Sequence, residues 1–148
     1  MKYYMLLFLL ATACLSCTQQ SEEEQRLFAF LSAREIPTSQ KIYFFVPTGS
    51  CGYCTDKSLE FMENYGGHPD IFFIVSGLSK RDLTQQLGKK STWQNVYLDT
   101  KNNSFREGVI NGGVTLFYME NGGIQKVSKL SPTDIKEALQ ELSVLLNK

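Results

Sequence analysis

Two runs in the middle of the chain carry almost no polar residue: KIYFFVP from Lys41 to Pro47 and DIFFIVS from Asp70 to Ser76. Continuous apolar, aromatic and β-branched runs of this length predict strands buried on both faces, as in a parallel sheet covered by helices. Between them, CTDKSLEFMENYGG spaces Leu59, Met62 and Tyr65 three apart with Phe61 beside them and ends on Gly66-Gly67. That pattern predicts an amphipathic helix with a glycine stop. Upstream, Ser21 and Glu24 form a capping box ahead of Leu27, Phe28, Phe30 and Leu31, and the helix must end before Pro37. Ser79 to Gly88 predicts a short helix, NVYLD (Asn95 to Asp99) a third strand, and Thr100 to Gly108 an irregular polar stretch.

The run VTLFYMENGGIQKVSKL predicts two strands joined at Asn121-Gly122-Gly123, because these residues accept positive φ at low cost. Last comes the clearest periodicity. Ser131 as cap, Pro132 at the first helical position and Asp134 at the third precede Ile135, Ala138, Leu139, Leu142, Leu145 and Leu146, which follow i, i+3, i+4, i+7 spacing. The resulting order is helix, β, α, β, α, β, β-hairpin, α. Strands that alternate with helices pair in parallel through right-handed crossovers, and the hairpin is expected to add antiparallel edge strands.

Length and charge narrow the function. The chain has 148 residues, with 15 Lys+Arg against 15 Asp+Glu, which suits one domain with a short appendage. Zero net charge gives no footprint for nucleic acid, whose binding depends on a basic patch that displaces counterions. An aromatic content of 12% is enough to build a core, so the chain is not a disordered polymer.

The four cysteines, Cys14, Cys17, Cys51 and Cys54, fall into two pairs. Met1-Lys2 is a short positive segment and Tyr3 to Ala13 an apolar run, shorter than the roughly 20 residues a membrane-spanning helix needs. The run closes on ATACLSC, which resembles the lipobox of bacterial lipoproteins. The resemblance implies a signal peptide over residues 1–16 and lipid modification of Cys17, with Cys14 as the alternative. Multiple acyl chains satisfy the condition for stable membrane attachment. Residues 17–40 are then a tether and N-terminal helix, and residues 41–148 the folded domain. TQQSEEE lacks Asp directly after Cys17, which under the same resemblance points to the outer membrane of the cell envelope. The acidic run also reads simply as the first turn of a capped helix.

Cys51-Gly52-Tyr53-Cys54 follows a buried strand by four residues and opens a helix. Unsatisfied N–H groups and the positive dipole end at a helix N-terminus stabilise a thiolate, and in C-x-x-C settings cysteine pKa values fall from about 8.5 to roughly 3.5–7.5. Cys51 is the exposed attacking thiol in this reading and Cys54, one turn in, the buried resolving thiol. A fall to about 6 raises the thiolate fraction at pH 7 about 30-fold, while the accompanying loss of nucleophilicity takes back about 18-fold, so the main gain is in leaving-group quality. A structural staple over so short a loop would contribute only about 2 kcal/mol. Zinc would need four ligands, and only His68, read as a solvated loop residue, could join the pair. A two-thiolate Cu(I) site remains open chemically.

Strand, CGYC, helix and a β-β-α ending together resemble the thioredoxin-like fold over Lys41 to Lys148, and Gly52-Tyr53 is the dipeptide of periplasmic disulfide isomerases of the DsbC and DsbG type. The resemblance implies an α/β protein: a three-layer α/β/α sandwich with a central mixed sheet and a C-terminal β-hairpin and helix. It implies an extracytoplasmic thiol-disulfide oxidoreductase that needs no cofactor or metal, works as a monomer, and has thiol- or disulfide-containing proteins as partners. A redox-inactive interaction module and a Cu(I)-binding chaperone of the same fold are the alternatives. The family's substrate loop maps onto Gly112, Gly113, Val114 and Thr115. Three positions depart from the family pattern: Ser50 stands where an apolar residue precedes the first cysteine, Phe45 where thioredoxin has a buried Asp, and Val114 where the cis-proline falls. A cis bond before a non-proline residue costs about 2.5–4 kcal/mol, so the Gly113-Val114 peptide is expected to be trans.

Overall fold

The computed structural model describes residues 20–77 and 79–147. Cys14, Cys17 and the leader lie outside the described residues. The elements are α1 (Glu22–Ser32), β1 (Ile42–Pro47), α2 (Gly52–Tyr65), β2 (Ile71–Ser76), α3 (Lys80–Leu87) running into a 3₁₀ turn, β3 (Val96–Asp99), α4 (Asn103–Arg106), β4 (Val114–Glu120), β5 (Gly123–Leu130) and α5 (Ile135–Leu146).

One five-stranded sheet has the order β3-β2-β1-β4-β5. The β1–β2 and β2–β3 pairs are parallel, with Ile42 opposite Ile71 and Phe73 opposite Val96. The hairpin attaches antiparallel to β1, with Phe45 opposite Thr115. Its first strand is therefore interior and only its second, β5, is an edge opposite β3, which corrects the expectation that both hairpin strands lie at the edge. The reason is visible in β4, where Val114, Thr115, Leu116 and Phe117 are all buried, whereas β5 buries only Leu130 fully. The two-residue turn places Asn121 at φ 52 and Gly122 at φ 79, the doubly positive geometry whose twist suits a hairpin.

Alternation along the central strands divides the core into two layers. Ile42, Phe44 and Val46 with Ile71, Phe73 and Val75 face α2, α3 and α5. Tyr43 and Phe45 with Phe72 and Ile74 face α1, whose Leu27, Phe30 and Leu31 are fully buried. The N-terminal helix is thus packed into the sandwich, with Phe45 between Phe30 and Phe117 at ring centroids 5.6 and 5.4 Å away. Burying each such ring contributes about 1.5–3 kcal/mol.

Four local expectations change. The polar stretch after β3 is ordered: its single turn α4 is capped by the fully buried Asp99, which accepts from Asn103 N at 2.9 Å and from Ser104 N and Oγ, each at 2.8 Å. Leu145 projects beside the buried stripe Ile135, Leu139, Leu142 and Leu146 and stays 49% exposed. His68 is half-buried rather than solvated: Nδ1 accepts from Asp70 N at 3.2 Å, which leaves Nε2 to donate to Leu146 O at 3.0 Å. At the start of α5, Ser131 N donates to Asp134 Oδ1 at 2.6 Å, but Ser131 Oγ accepts from Thr133 N at 3.3 Å and regular helix begins only at Ile135 with Asp134 as its N-cap, so Ser131 to Thr133 form a turn ahead of the helix, not its cap and first residues.

Candidate active site

β1 ends on Pro47 at the carboxyl edge of the parallel strands, the rim where ligands collect in open α/β sheets. Thr48 ties the next loop to β2 through its N–H and Oγ1, both donating to Ser76 O at 2.9 and 3.0 Å. The chain then enters α2 with Cys51 as the N-cap in extended conformation, φ −124° and ψ 108°. Cys51 Sγ accepts the backbone N–H of Cys54 at 3.3 Å. A sulfur thus takes the position that a Ser, Thr or Asp oxygen fills at ordinary helix starts. Two hydroxyls hold this turn: Thr55 Oγ1 donates to Pro47 O at 3.1 Å and Ser58 Oγ to Cys54 O at 2.8 Å. Both residues are buried.

The two thiols, both free, are held in unequal surroundings. Cys51 is half-buried and Cys54 is 2% exposed. The Cys51 thiol is pulled below its ordinary range, first by the Cys54 S–H that donates to it, then by the Cys54 and Tyr53 N–H groups; partial burial and, less, the Asp56 carboxylate oppose this. Burial pushes the Cys54 thiol up to about 11, and the Cys51 sulfur and the Asp134 carboxylate add to the rise. Proton affinity is therefore concentrated on the inner sulfur and withdrawn from the outer one. Gly52 and Tyr53 are exposed at the tip, Tyr53 by 42%.

Gly112, Gly113, Val114 and Thr115 form the turn into β4. Val114 is 1% exposed and shares the core layer that contains Cys54 and against which Cys51 packs. Gly112 has φ +91°, and Thr115 Oγ1 closes the turn on Gly113 O at 3.0 Å. The described residues contain no cis peptide bond, so Gly113-Val114 is trans. Phe45 points into the other layer, toward Phe30, and offers no proton acceptor near Cys54.

A buried parallel strand that delivers a C-x-x-C pair to a helix N-terminus, flanked on its other side by an antiparallel hairpin and a closing helix, decides the architecture. The fold is thioredoxin-like. Its thioredoxin-like core is β1-α2-β2 with β4-β5-α5, to which this chain adds α1 and the segment from α3 to α4.

No protein-family model and no curated protein matches the sequence. Among solved structures, a secreted Mycobacterium tuberculosis disulfide oxidoreductase homologous to E. coli DsbE is similar at 9% identity, with 68% of this chain and 79% of that one covered and a TM-score of 0.46. A Chlorobium tepidum protein described as a thiol:disulfide interchange protein DsbE is similar at 18% identity, covering 71% and 78%, with a TM-score of 0.44. A thioredoxin-like protein from Porphyromonas gingivalis is similar at 15% identity, covering 72% and 74%, with a TM-score of 0.42.

Sequence reasoning did not single out Asp99, Asn102 or Phe105. Asp99 followed by a polar run ending in Ser104 is an N-cap signal that could have revealed α4. Phe105 could not be read from pattern alone, because a lone aromatic in a polar stretch has no periodicity. Among the described residues no three His, Cys, Asp or Glu side chains converge on a metal-sized site, and no helix is long and apolar enough to cross a membrane.

Proposed function

We propose that this protein is a thiol-disulfide oxidoreductase acting outside the cytoplasm, with Cys51 as the attacking thiol and Cys54 as the resolving thiol. The observation that carries the reading is the inequality of the pair: one sulfur accepts N–H and S–H donors at a helix N-terminus, and the other is buried with its pKa pushed up to about 11. In the reductive direction, the Cys51 thiolate attacks a disulfide of the partner. The partner's S–S bond breaks, a Cys51 mixed disulfide forms, and one partner sulfur leaves as a thiolate that takes up a proton. Cys54 then gives up its proton and attacks Cys51 Sγ, releasing the second partner thiol. The partner gains two electrons and the Cys51–Cys54 pair loses them as a disulfide, which a dithiol donor must reduce before the next cycle. The same steps in reverse oxidise a dithiol partner, and no cofactor enters.

Trapping tests the reading. Cys54→Ser should accumulate mixed disulfides through Cys51 in cell extracts, and Cys51→Ser should not. Absence of Cys51 adducts favours the redox-inactive interaction module. The reduction potential of the pair gives the direction: a value near about −270 mV marks a reductant, and one between about −120 and −180 mV an oxidant or isomerase.

The envelope location is part of the same proposal and is supported by the apolar leader ending in ATACLSC. Cys17 carries the lipid, a monomeric domain faces its partners from the membrane surface, and the outer membrane is the expected site. Mass spectrometry of the mature N-terminus checks this: diacylated Cys17 is expected, acylation at Cys14 would move the cleavage site, and an unmodified N-terminus would remove the anchor.

A further inference from the structure

A cavity of about 410 Å³ opens beside the redox loop, between the ends of β1 and β2 and the segment that carries α4. Its floor and rim use Ser50, which directly precedes Cys51, together with Gly77, Asp82, Asn102, Phe105 and Gly112. Phe105 is 57% exposed, a large apolar ring on the rim of the cavity. It is held out by its neighbours. Ser104 is fully buried and bonded twice to Asp99, while from behind Arg34 pairs with Glu107 and Arg26 Nη1 donates to Gly108 O at 3.4 Å. Opposite the ring, Gly112 at φ +91° leaves the wall low: a Cβ there would come within 3.8 Å of the Phe105 ring. Among the described residues that line the cavity, Asp82 is the one charged side chain, and its carboxylate is oriented by Ser79 Oγ at 2.7 Å.

We infer that this cavity is the substrate seat of the exchange reaction, and that Phe105 receives an apolar side chain next to the reacting cysteine of a polypeptide disulfide. The inference rests on the proposed exchange function and selects among its partners. The volume falls within the range of binding pockets and accommodates one large side chain with its backbone. The apolar ring, and a lining that runs along Pro47 to Ser50 up to the residue directly before Cys51, favour a chain whose neighbouring residue is buried as its sulfur reaches Cys51 Sγ. Glutathione fits poorly, because it carries two carboxylates, offers no large apolar group, and would meet Asp82 with no cation among the described lining residues. Arg34 and Asp99 hold the segment that carries Phe105 through Glu107, Asn103 and Ser104.

Two peptides with one cysteine each test the seat, identical except for Phe or Ser beside the cysteine, and each joined by a disulfide to thionitrobenzoate. Attack of Cys51 on the peptide sulfur forms the Cys51–peptide disulfide and releases the coloured thiolate. With the reduced full-length protein, the Phe peptide should react about tenfold faster than the Ser peptide, the discrimination expected when a pocket gains one large apolar group. That ratio should fall toward one in Phe105→Ala and be mostly kept in Phe105→Leu, which preserves apolar volume. The mixed disulfide of glutathione with thionitrobenzoate, which carries the same leaving group, should react more slowly than the Phe peptide. A ratio near one in the unmodified protein, an unchanged ratio in Phe105→Ala, or faster reaction of the glutathione–thionitrobenzoate disulfide overturns the seat while leaving exchange intact. No reaction with either peptide or with hydroxyethyl disulfide overturns the exchange function and the seat with it.

Discussion

Cys54 donates its backbone N–H to the sulfur of Cys51 across 3.3 Å, making the outer thiol the cap of the helix that buries the inner one. The same three-residue spacing that opens the helix therefore separates the two thiols in proton affinity. Cys51 gains donors that favour its charged form, and Cys54 loses the water that would favour its own.

Alkylation of Cys51 should report this separation. The pH midpoint of its reaction with iodoacetamide is expected below that of an unperturbed thiol, about 8.5. Cys54→Ala should raise the midpoint, because it deletes the S–H donor that lowers Cys51 most. Cys54→Ser, which keeps an O–H donor, should raise it less, and Asp56→Asn should lower it by removing the opposing charge. An unchanged midpoint in Cys54→Ala would contradict the hydrogen-bond origin.

Stability of the reduced protein should decline in alkali through Cys54. Its pKa is raised from 9.0 to about 11 in the folded state, so below the ordinary value both states hold the proton and the shift has no effect. As pH rises from 9.0 toward about 11 the unfolded chain ionises first, and folding stability is lost across that interval. Cys51 works in the opposite sense: its depressed pKa adds stability above the ordinary value that disappears as pH falls through the folded one. Tyr43, pushed up to about 12, and Tyr118 add losses of the same sign as Cys54 at higher pH. The Cys54 contribution is isolated by comparing urea midpoints of wild type and Cys54→Ala, whose stability difference should shift in favour of Cys54→Ala between pH 9 and 11.

Asp99 is expected to matter more than any exposed acid. Asp99→Ala leaves two backbone N–H groups and the Ser104 hydroxyl without their acceptor in a buried site, a loss of about 3 kcal/mol at roughly 1–3 kcal/mol per stranded donor, after partial relaxation. Urea denaturation measures it. A cost below about 1 kcal/mol would mean that water reaches these donors.

Arg34 joins α1 to the turn after α4 and should be sensitive to shape as well as charge. Its side chain is 10% exposed, lies 4.0 Å over the Phe30 ring and pairs with Glu107, which is 46% exposed. Arg34→Ala is expected to cost about 1–2 kcal/mol, with Arg34→Met costing less because a methionine still covers Phe30. Equal costs for the two would assign the whole effect to the ion pair.

Much of the architecture was legible because its signals are local. Both central strands announce themselves through unbroken apolar runs, since a strand covered on both faces has no solvent side to make polar. A capping box marked the start of α1, where Ser21 Oγ accepts the N–H group of Glu24 at 3.1 Å. Asn121-Gly122 marked the hairpin turn because few residue pairs hold two positive φ angles. Legibility failed where the deciding contact is distant in sequence: Arg34 to Glu107, His68 to Leu146, and β4 beside β1.

For this protein the sequence by itself determined every element except the single turn α4, their order, and the placement of Cys51 and Cys54 at a helix start, because those follow from periodicity and from residues within one turn of each other. Only the tertiary structure decided that β4 is interior, that Leu145 faces out, and that Asp99 organises α4. It likewise decided that Phe105 stands open beside the loop that leads into Cys51. Each of these depends on which surfaces meet across the fold, and burial is shared between partners that no local pattern names.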